Sequence, residues 1–276
     1  MLRLFLFLSL LAAPALAQQQ PTRTPSHCRA LADAAPGLEY TQRASWTAPL
    51  PDETVRIRYI AHASFLIQSA GGLNMVTDFT GFIGSVDMIP DVVTMNHAHS
   101  THWTASPDPA IPHVLPGWGA EFGTGIDHEL ELGEVLIRNV STDIRSAYGG
   151  TETEGNSIFI FEMAGLCIGH LGHLHHEPTA EQYAAIGRLD VVMAAVDGGM
   201  TVDLPTMTRI LQRLRSSIVI PMHWFGETTL QRFLADMQED FQVVRVPGSS
   251  IEVSMDRLPG RPTIMVLHPE WLRDTE

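Results

Sequence analysis

The chain has 276 residues, of which 45% are hydrophobic, and a formal net charge of −14. That balance supplies ample material for a core and argues against nucleic acid or an anionic membrane surface as a partner. All 17 basic residues are arginine, which rules out a Schiff-base lysine, a lysine general base and the lysine of a P-loop.

Arg3 precedes an apolar run from Leu4 to Leu11 and an Ala15-Leu16-Ala17 exit, the pattern of a cleavable secretory signal over residues 1–17. The run is shorter than the roughly 20 residues that span a bilayer. No later stretch is long and apolar enough to do so, and a mature protein without a membrane span, periplasmic or secreted, is expected. Residues 18–50, rich in Gln, Pro, Thr and Ala, read as a lead-in with one short helix, and residues 51–276 as the folded domain. Cys28 and Cys167 are the only cysteines. An oxidising compartment permits a bridge between them, while a buried free thiol is equally ordinary for Cys167 in its apolar run.

From Val55 to Ile60 apolar and polar residues alternate as in a half-buried strand. Ala63 to Gln68 continues extended, Gly71-Gly72 turns, and Leu73 to Thr77 gives a second strand ending at Asp78, so the pair predicts a hairpin. Asp91 to Met95 is a short buried strand that leads into a histidine cluster. Residues 104–127, with four prolines, read as a lid-like loop in which Trp118, with the adjacent Trp103, shapes a pocket or simply packs. Strands are expected over about 129–140 and 156–163, and again over 166–169. A helix over 178–187 with Thr179 as cap follows, then a strand (190–196), a helix (204–214), a strand (218–222), a helix (about 228–238) and two terminal strands. Hairpins first and alternating strands and helices later predict an α/β sandwich of two mixed sheets with helices outside.

Three buried strands end in histidine. Of the 13 histidines, seven fall in two clusters, Asn96-His97-Ala98-His99-Ser100-Thr101-His102 and His170-Leu171-Gly172-His173-Leu174-His175-His176. An H-x-H-x-x-H run after a buried strand points its imidazoles at a metal ion. The second cluster also reads as an exposed polar loop, and His223 as a core histidine. Packing and site roles are both open for His62. His113, His128 and His268 have no supporting context.

In this order the sequence resembles the metallo-β-lactamase superfamily, closest to the branch of ascorbate-lactonase-like proteins and the phospholipase D that acts on N-acyl phosphatidylethanolamine. The resemblance runs from about Val55 to Trp224 through YIAHASFLI, MVTDF, DVVTMNHAHSTHW, GNSIFIFEMAGLCIGHLGHLHH, LDVVMAAVDGGMTVD and IVIPMHW. It implies a four-layer αββα sandwich and a metal-dependent hydrolase. Against the family's ligand pattern, Thr101 stands for an aspartate, Thr142 for a histidine and His173 for the bridging aspartate. By position the metal ligands that remain are His97, His99, His102, His173 and His223.

Two divalent ions about 3.5–4 Å apart repel strongly unless an anion bridges them, and neutral imidazole supplies no charge. One tightly held divalent ion is therefore expected, zinc first, with iron or copper compatible with imidazole ligands. His97, His99 and His173 are expected to form a three-histidine site with an open position for water, and His102 and His223 a weak second site or support. Asp78 is the candidate catalytic carboxylate, orienting a ligand imidazole, and Asp197 is a candidate stand-in for the missing general base. His170, His175 and His176 either join the site or stay at its rim. The resemblance implies a metal-bound hydroxide acting on an ester, lactone or phosphodiester of a small-molecule substrate. A non-catalytic periplasmic metal-binding protein and an iron or copper oxidoreductase are the alternatives.

Overall fold

The computed structural model describes residues 26–30, 45–96, 100–146 and 149–274. The segment read as a signal, residues 1–17, lies outside the described residues, as do His97 and His99. In chain order the helices are α1 (His27–Ala30), α2 (Ala180–Ile186), α3 (Leu204–Leu214) and α4 (Glu227–Met237). The first strands are β1 (Val55–Ala61), β2 (Ser64–Gln68), β3 (Asn74–Val76), β4 (Gly84–Ser85), β5 (Val92–Met95) and β6 (His113–Pro116). The middle strands are β7 (Glu129–Leu132), β8 (Val135–Arg145), β9 (Thr151–Met163), β10 (Leu166–His170), β11 (Val191–Ala195) and β12 (Ile218–Met222). The last are β13 (Gln242–Arg245), β14 (Ser250–Val253), β15 (Thr263–Val266) and β16 (Leu272–Arg273).

Two mixed sheets form a sandwich, one ordered β14-β1-β2-β3-β5-β6 and the other β13-β15-β12-β11-β10-β9-β8-β7. Period-two alternation sorts the side chains. In β11, Val191, Met193 and Ala195 face the core between the sheets, while Val192 and Ala194 face the cluster beneath the helices. Full burial of each such valine or methionine stabilises by about 1.5–3 kcal/mol. Helix α3 starts at Asp203, whose side chain accepts from the Thr206 N–H, with Pro205 in its first turn. It buries Leu204, Met207, Ile210 and Leu211, the apolar stripe that its sequence spacing dictates. Helix α2 carries a reciprocal capping box between Thr179 and Gln182.

The α/β sandwich is as expected; three segments differ from the expectation. The run read as one strand at 129–140 is a hairpin, β7 and β8, because Gly133 takes a left-handed turn with φ 62°. The loop at 104–127 contains β6, which pairs in parallel with β5 and extends the sheet. Its flanking Trp103 and Trp118 pack edge to face, 5.8 Å apart, against the cluster of Trp46, Ile60 and Phe79. The C-terminal part has four short strands where two were expected. Over the six-stranded sheet the outer cover, among the described residues, comes from loops and the β4–β16 ribbon rather than from a helix.

Cys28 and Cys167 form a disulfide with 5.8 Å between their Cα atoms. It pins α1 to β10, on the helix-covered side of the larger sheet. Beside it Glu162 accepts from Arg138 Nε and Ser26 Oγ, both at 2.6 Å. Burial opposes the Glu162 charge, but these hydrogen bonds and the Arg138 charge outweigh it and hold the carboxyl below its usual range.

Candidate functional site

Strands β3, β5, β10, β11 and β12 and the β1–β2 turn all deliver their ends to one edge of the sandwich. β3 and β5 are parallel in one sheet, and β10, β11 and β12 are parallel in the other. Strand C-termini gather here, where sites in α/β sheets form. The sheets are tied together at this edge: the His223 N–H donates to the His62 carbonyl at 2.9 Å, and His170 Nε2 lies 2.8 Å from the Ala63 carbonyl.

Three of the residues placed here adopt left-handed backbone: His62 (φ 52°), Asp78 (φ 44°) and His223 (φ 56°). Such conformations cost about 1–3 kcal/mol and persist only where the surroundings hold them. The surroundings are buried amides. The Asn96 amide donates to Asp78 Oδ1 at 2.5 Å, while its own oxygen accepts from the Ser157 N–H. The Asn156 oxygen accepts from the His173 N–H at 2.9 Å. Gly172 lies between these amides; a Cβ there would meet Asn156 Oδ1 at 2.5 Å and Asn96 Nδ2 at 2.7 Å, so only glycine fits.

Two buried imidazoles are backed by carboxylates. His102 Nδ1 lies 2.7 Å from Asp78 Oδ2, and His223 Nδ1 lies 2.9 Å from Asp197 Oδ2. Their rings stack with centroids 5.2 Å apart, and His62 tilts against both, at 4.9 Å from His102 and 4.2 Å from His223. The ligand atoms of His62, His102 and His223 all lie within 4.8 Å of one another. Burial opposes ionisation of Asp78, yet the facing His170 and His102 and the hydrogen bonds from His102 and Asn96 hold its carboxyl below the usual range. The Asp197 carboxyl is likewise held well below its usual range: burial is outweighed by hydrogen bonds from His223 and Thr201 and from the Gly199 and Thr201 N–H groups. Its Oδ1 accepts from the N–H groups of Gly199, Met200 and Thr201, and its Oδ2 from Thr201 Oγ. A carboxylate so engaged is a poor proton acceptor, so Asp197 is not the stand-in base that the sequence allowed; it orients His223.

The second cluster divides. His170 is fully buried, with Nε2 on the Ala63 carbonyl and Nδ1 accepting from the Gly172 N–H at 3.2 Å, and burial lowers its pKa. Both ring nitrogens are used by backbone, and His170 is a structural tie. The Arg145 N–H donates to His175 Nδ1 at 2.7 Å. His175 therefore carries its proton on Nε2 and gives it to His173 Nδ1 at 2.9 Å. His173 is buried and packs edge-on to His102 and His223, at 4.6 and 5.0 Å. His176 is exposed. The Arg145 guanidinium also donates to the carbonyls of Gly199, Met200 and Thr201, fastening the Asp197 loop to the same edge. Thr142, in a family ligand position, has its hydroxyl accepting from the Asn156 amide at 2.8 Å.

Among the sequence-predicted residues, His102, His173, His223 and Asp78 thus meet at one edge. Sequence reasoning missed the clamping amides of Asn96 and Asn156; Asn96 immediately precedes the first cluster, which was the available signal. Away from this edge His113 lies in β6, His128 Nε2 is 2.7 Å from the Pro116 carbonyl, and His268 is exposed.

The profile of the family described as "Beta-lactamase superfamily domain" matches residues 56–223. A UPF0173 metal-dependent hydrolase of Methanoculleus marisnigri is 23% identical over 223 residues, covering 74% of this chain and 99% of its own. Among solved structures, one from Thermotoga maritima, described as a zinc-dependent hydrolase of the metallo-β-lactamase superfamily, superposes with TM-score 0.56 at 22% identity, over 78% of this chain and 100% of that one. A metallo hydrolase of Ignicoccus hospitalis gives TM-score 0.52 at 16% identity, over 73% of this chain and 99% of that one. At these identities the structures speak for the fold.

Proposed function

The chain belongs to the metallo-β-lactamase superfamily, and on that premise we propose that it is an exported, metal-dependent hydrolase of a small-molecule ester, lactone or phosphodiester. The observation that carries the reading is the pair of buried carboxylate–imidazole contacts, Asp78–His102 and Asp197–His223, brought together at the strand ends. A carboxylate on Nδ1 is the support a metal-ligating histidine needs, because it sets the tautomer that leaves Nε2 with its lone pair. These residues fit a divalent ion, zinc first, with iron or copper also suited to imidazole. When bound, such an ion supplies a Lewis acid that polarises the substrate oxygen and makes water a stronger nucleophile.

The chain's own groups do the rest. Asp78 and Asp197 fix the rings of His102 and His223. His97 and His99 enter the proposal as ligands on their sequence pattern. His173 accepts on Nδ1 and so carries its own proton on Nε2, a hydrogen-bond donor within the ring cluster suited to a developing oxyanion. Phe225 is 63% exposed and lies 5.0 Å from His223 and 5.5 Å from His62, placed to meet an apolar part of the substrate. Export, with residues 1–17 removed, 18–50 as lead-in and 51–276 as the domain, is supported by the Cys28–Cys167 bridge, which suits an oxidising compartment.

The test is a substrate screen with mature, zinc-loaded protein over generic esters, lactones and phosphodiesters. Turnover is expected in one class, abolished by chelator, restored by zinc and absent in His102→Ala. A chain that binds metal but turns over nothing with any divalent ion would favour the non-catalytic metal-binding reading, for which the threonines at 101 and 142 speak. Oxygen or peroxide consumption with iron or copper would favour a redox enzyme.

A further inference from the structure

We infer that His62 is a metal ligand, completing with His102 and His223 a three-imidazole site for one divalent ion. The inference rests on the metal-dependent reading above and adds a ligand that the family pattern does not include. His62 sits in the tight turn between β1 and β2, and its carbonyl is held twice, by the Tyr59 hydroxyl at 2.6 Å and the His223 N–H at 2.9 Å. The turn is thus fastened directly to the backbone of another member of the trio. Its left-handed φ of 52° belongs to a histidine where glycine would be the unstrained choice. The ring it presents lies against both carboxylate-backed imidazoles, with all three ligand atoms within 4.8 Å of one another.

Two described neighbours that could have taken this place are committed elsewhere. The Thr142 hydroxyl accepts from Asn156. His173 accepts on Nδ1 from His175, whose own tautomer is set by the Arg145 N–H, so the remaining nitrogen of a neutral His173 bears a proton and has no lone pair to give. Charge also closes. Three neutral imidazoles bring none, but the carboxylates of Asp78 and Asp197 lie directly behind two of them, at 2.7 and 2.9 Å, and two carboxylates match one divalent cation. The negative charge that the family places in contact with its ions stands here one bond further out. An all-imidazole set selects zinc, copper or iron over magnesium and calcium.

The test uses the full mature chain and the metal alone. Zinc affinity is measured by competition with a chromophoric chelator, and the cobalt-substituted protein gives a ligand-field spectrum. The variant is His62→Asn, because asparagine tolerates left-handed backbone and spares the turn; unfolding in the presence of chelator checks that its fold is intact. His268→Ala, at an exposed histidine, is the control. The expected result is at least about a tenfold loss of zinc affinity in His62→Asn with an altered cobalt spectrum, and wild-type values in the control. Wild-type affinity and spectrum in a folded His62→Asn would overturn the role of His62 and leave the hydrolase reading standing. A wild-type chain that binds neither zinc nor cobalt would overturn both.

Discussion

The buried histidines at the working edge fall into two kinds, and what each bonds through its ring distinguishes them. His102 and His223 have a carboxylate on Nδ1, which leaves Nε2 as a lone pair for an ion. His170 has backbone on both nitrogens, and His173 has a neighbouring imidazole on Nδ1. All four lie in or after strands in histidine-rich or motif-like sequence, and under the proposed function the first kind holds the ion. A histidine's partner, rather than its place in a motif, sets its role.

The largest expected effect on metal binding comes from removing a backing carboxylate. Asp197→Asn should weaken zinc binding by about 10–100-fold with the fold retained, as measured by chelator competition; an unchanged affinity would erase the distinction between the two kinds. A purely structural element should behave in the opposite way. The double change Cys28→Ser with Cys167→Ser should lower unfolding free energy by about 2–4 kcal/mol in a denaturant titration, while metal content stays at the wild-type level. His170→Gln should act in the same sense but less, costing about 1–3 kcal/mol through lost buried hydrogen bonds, again without loss of metal. Metal lost in His170→Gln would move that residue into the first kind.

The smallest effect is a pH dependence far from the site. The folded-state pKa of Glu162 is depressed, so its contribution to stability is fully present above the carboxylate's unfolded value of about 4.3. It is lost as pH falls through the lower folded value. Stability of Glu162→Gln measured against pH should therefore fall less steeply on acidification than that of the wild type.

Much of the fold was legible because periodicity carries it. Helices α2, α3 and α4 fall within a residue or two of the ranges read from capping residues and apolar spacing. The split of β7 from β8 had its signal in Gly133, inside a run that otherwise reads as one strand. The strand β6 was hidden by flanking prolines, and its pairing with β5 is a tertiary fact that local propensity does not contain. At the site, the strand-end histidines were visible as residue types. Their hydrogen-bond partners were not: the N–H groups that engage Asp197 belong to a turn whose fold the residue types do not spell out, and His62, in the YIAHASFLI segment, reads equally as packing or site until its neighbours are placed. The pairing of Cys28 with Cys167 depended likewise on a distance that composition does not give.

Under the proposed function this edge holds one divalent ion, with the carboxylate-backed His102 and His223 among its ligands. The most direct test is elemental mass spectrometry of mature protein purified without chelator from its own compartment. One zinc, iron or copper per chain, lost in His102→Ala and kept in His170→Gln, is the predicted result. Two ions per chain, none, or one that survives His102→Ala would contradict it.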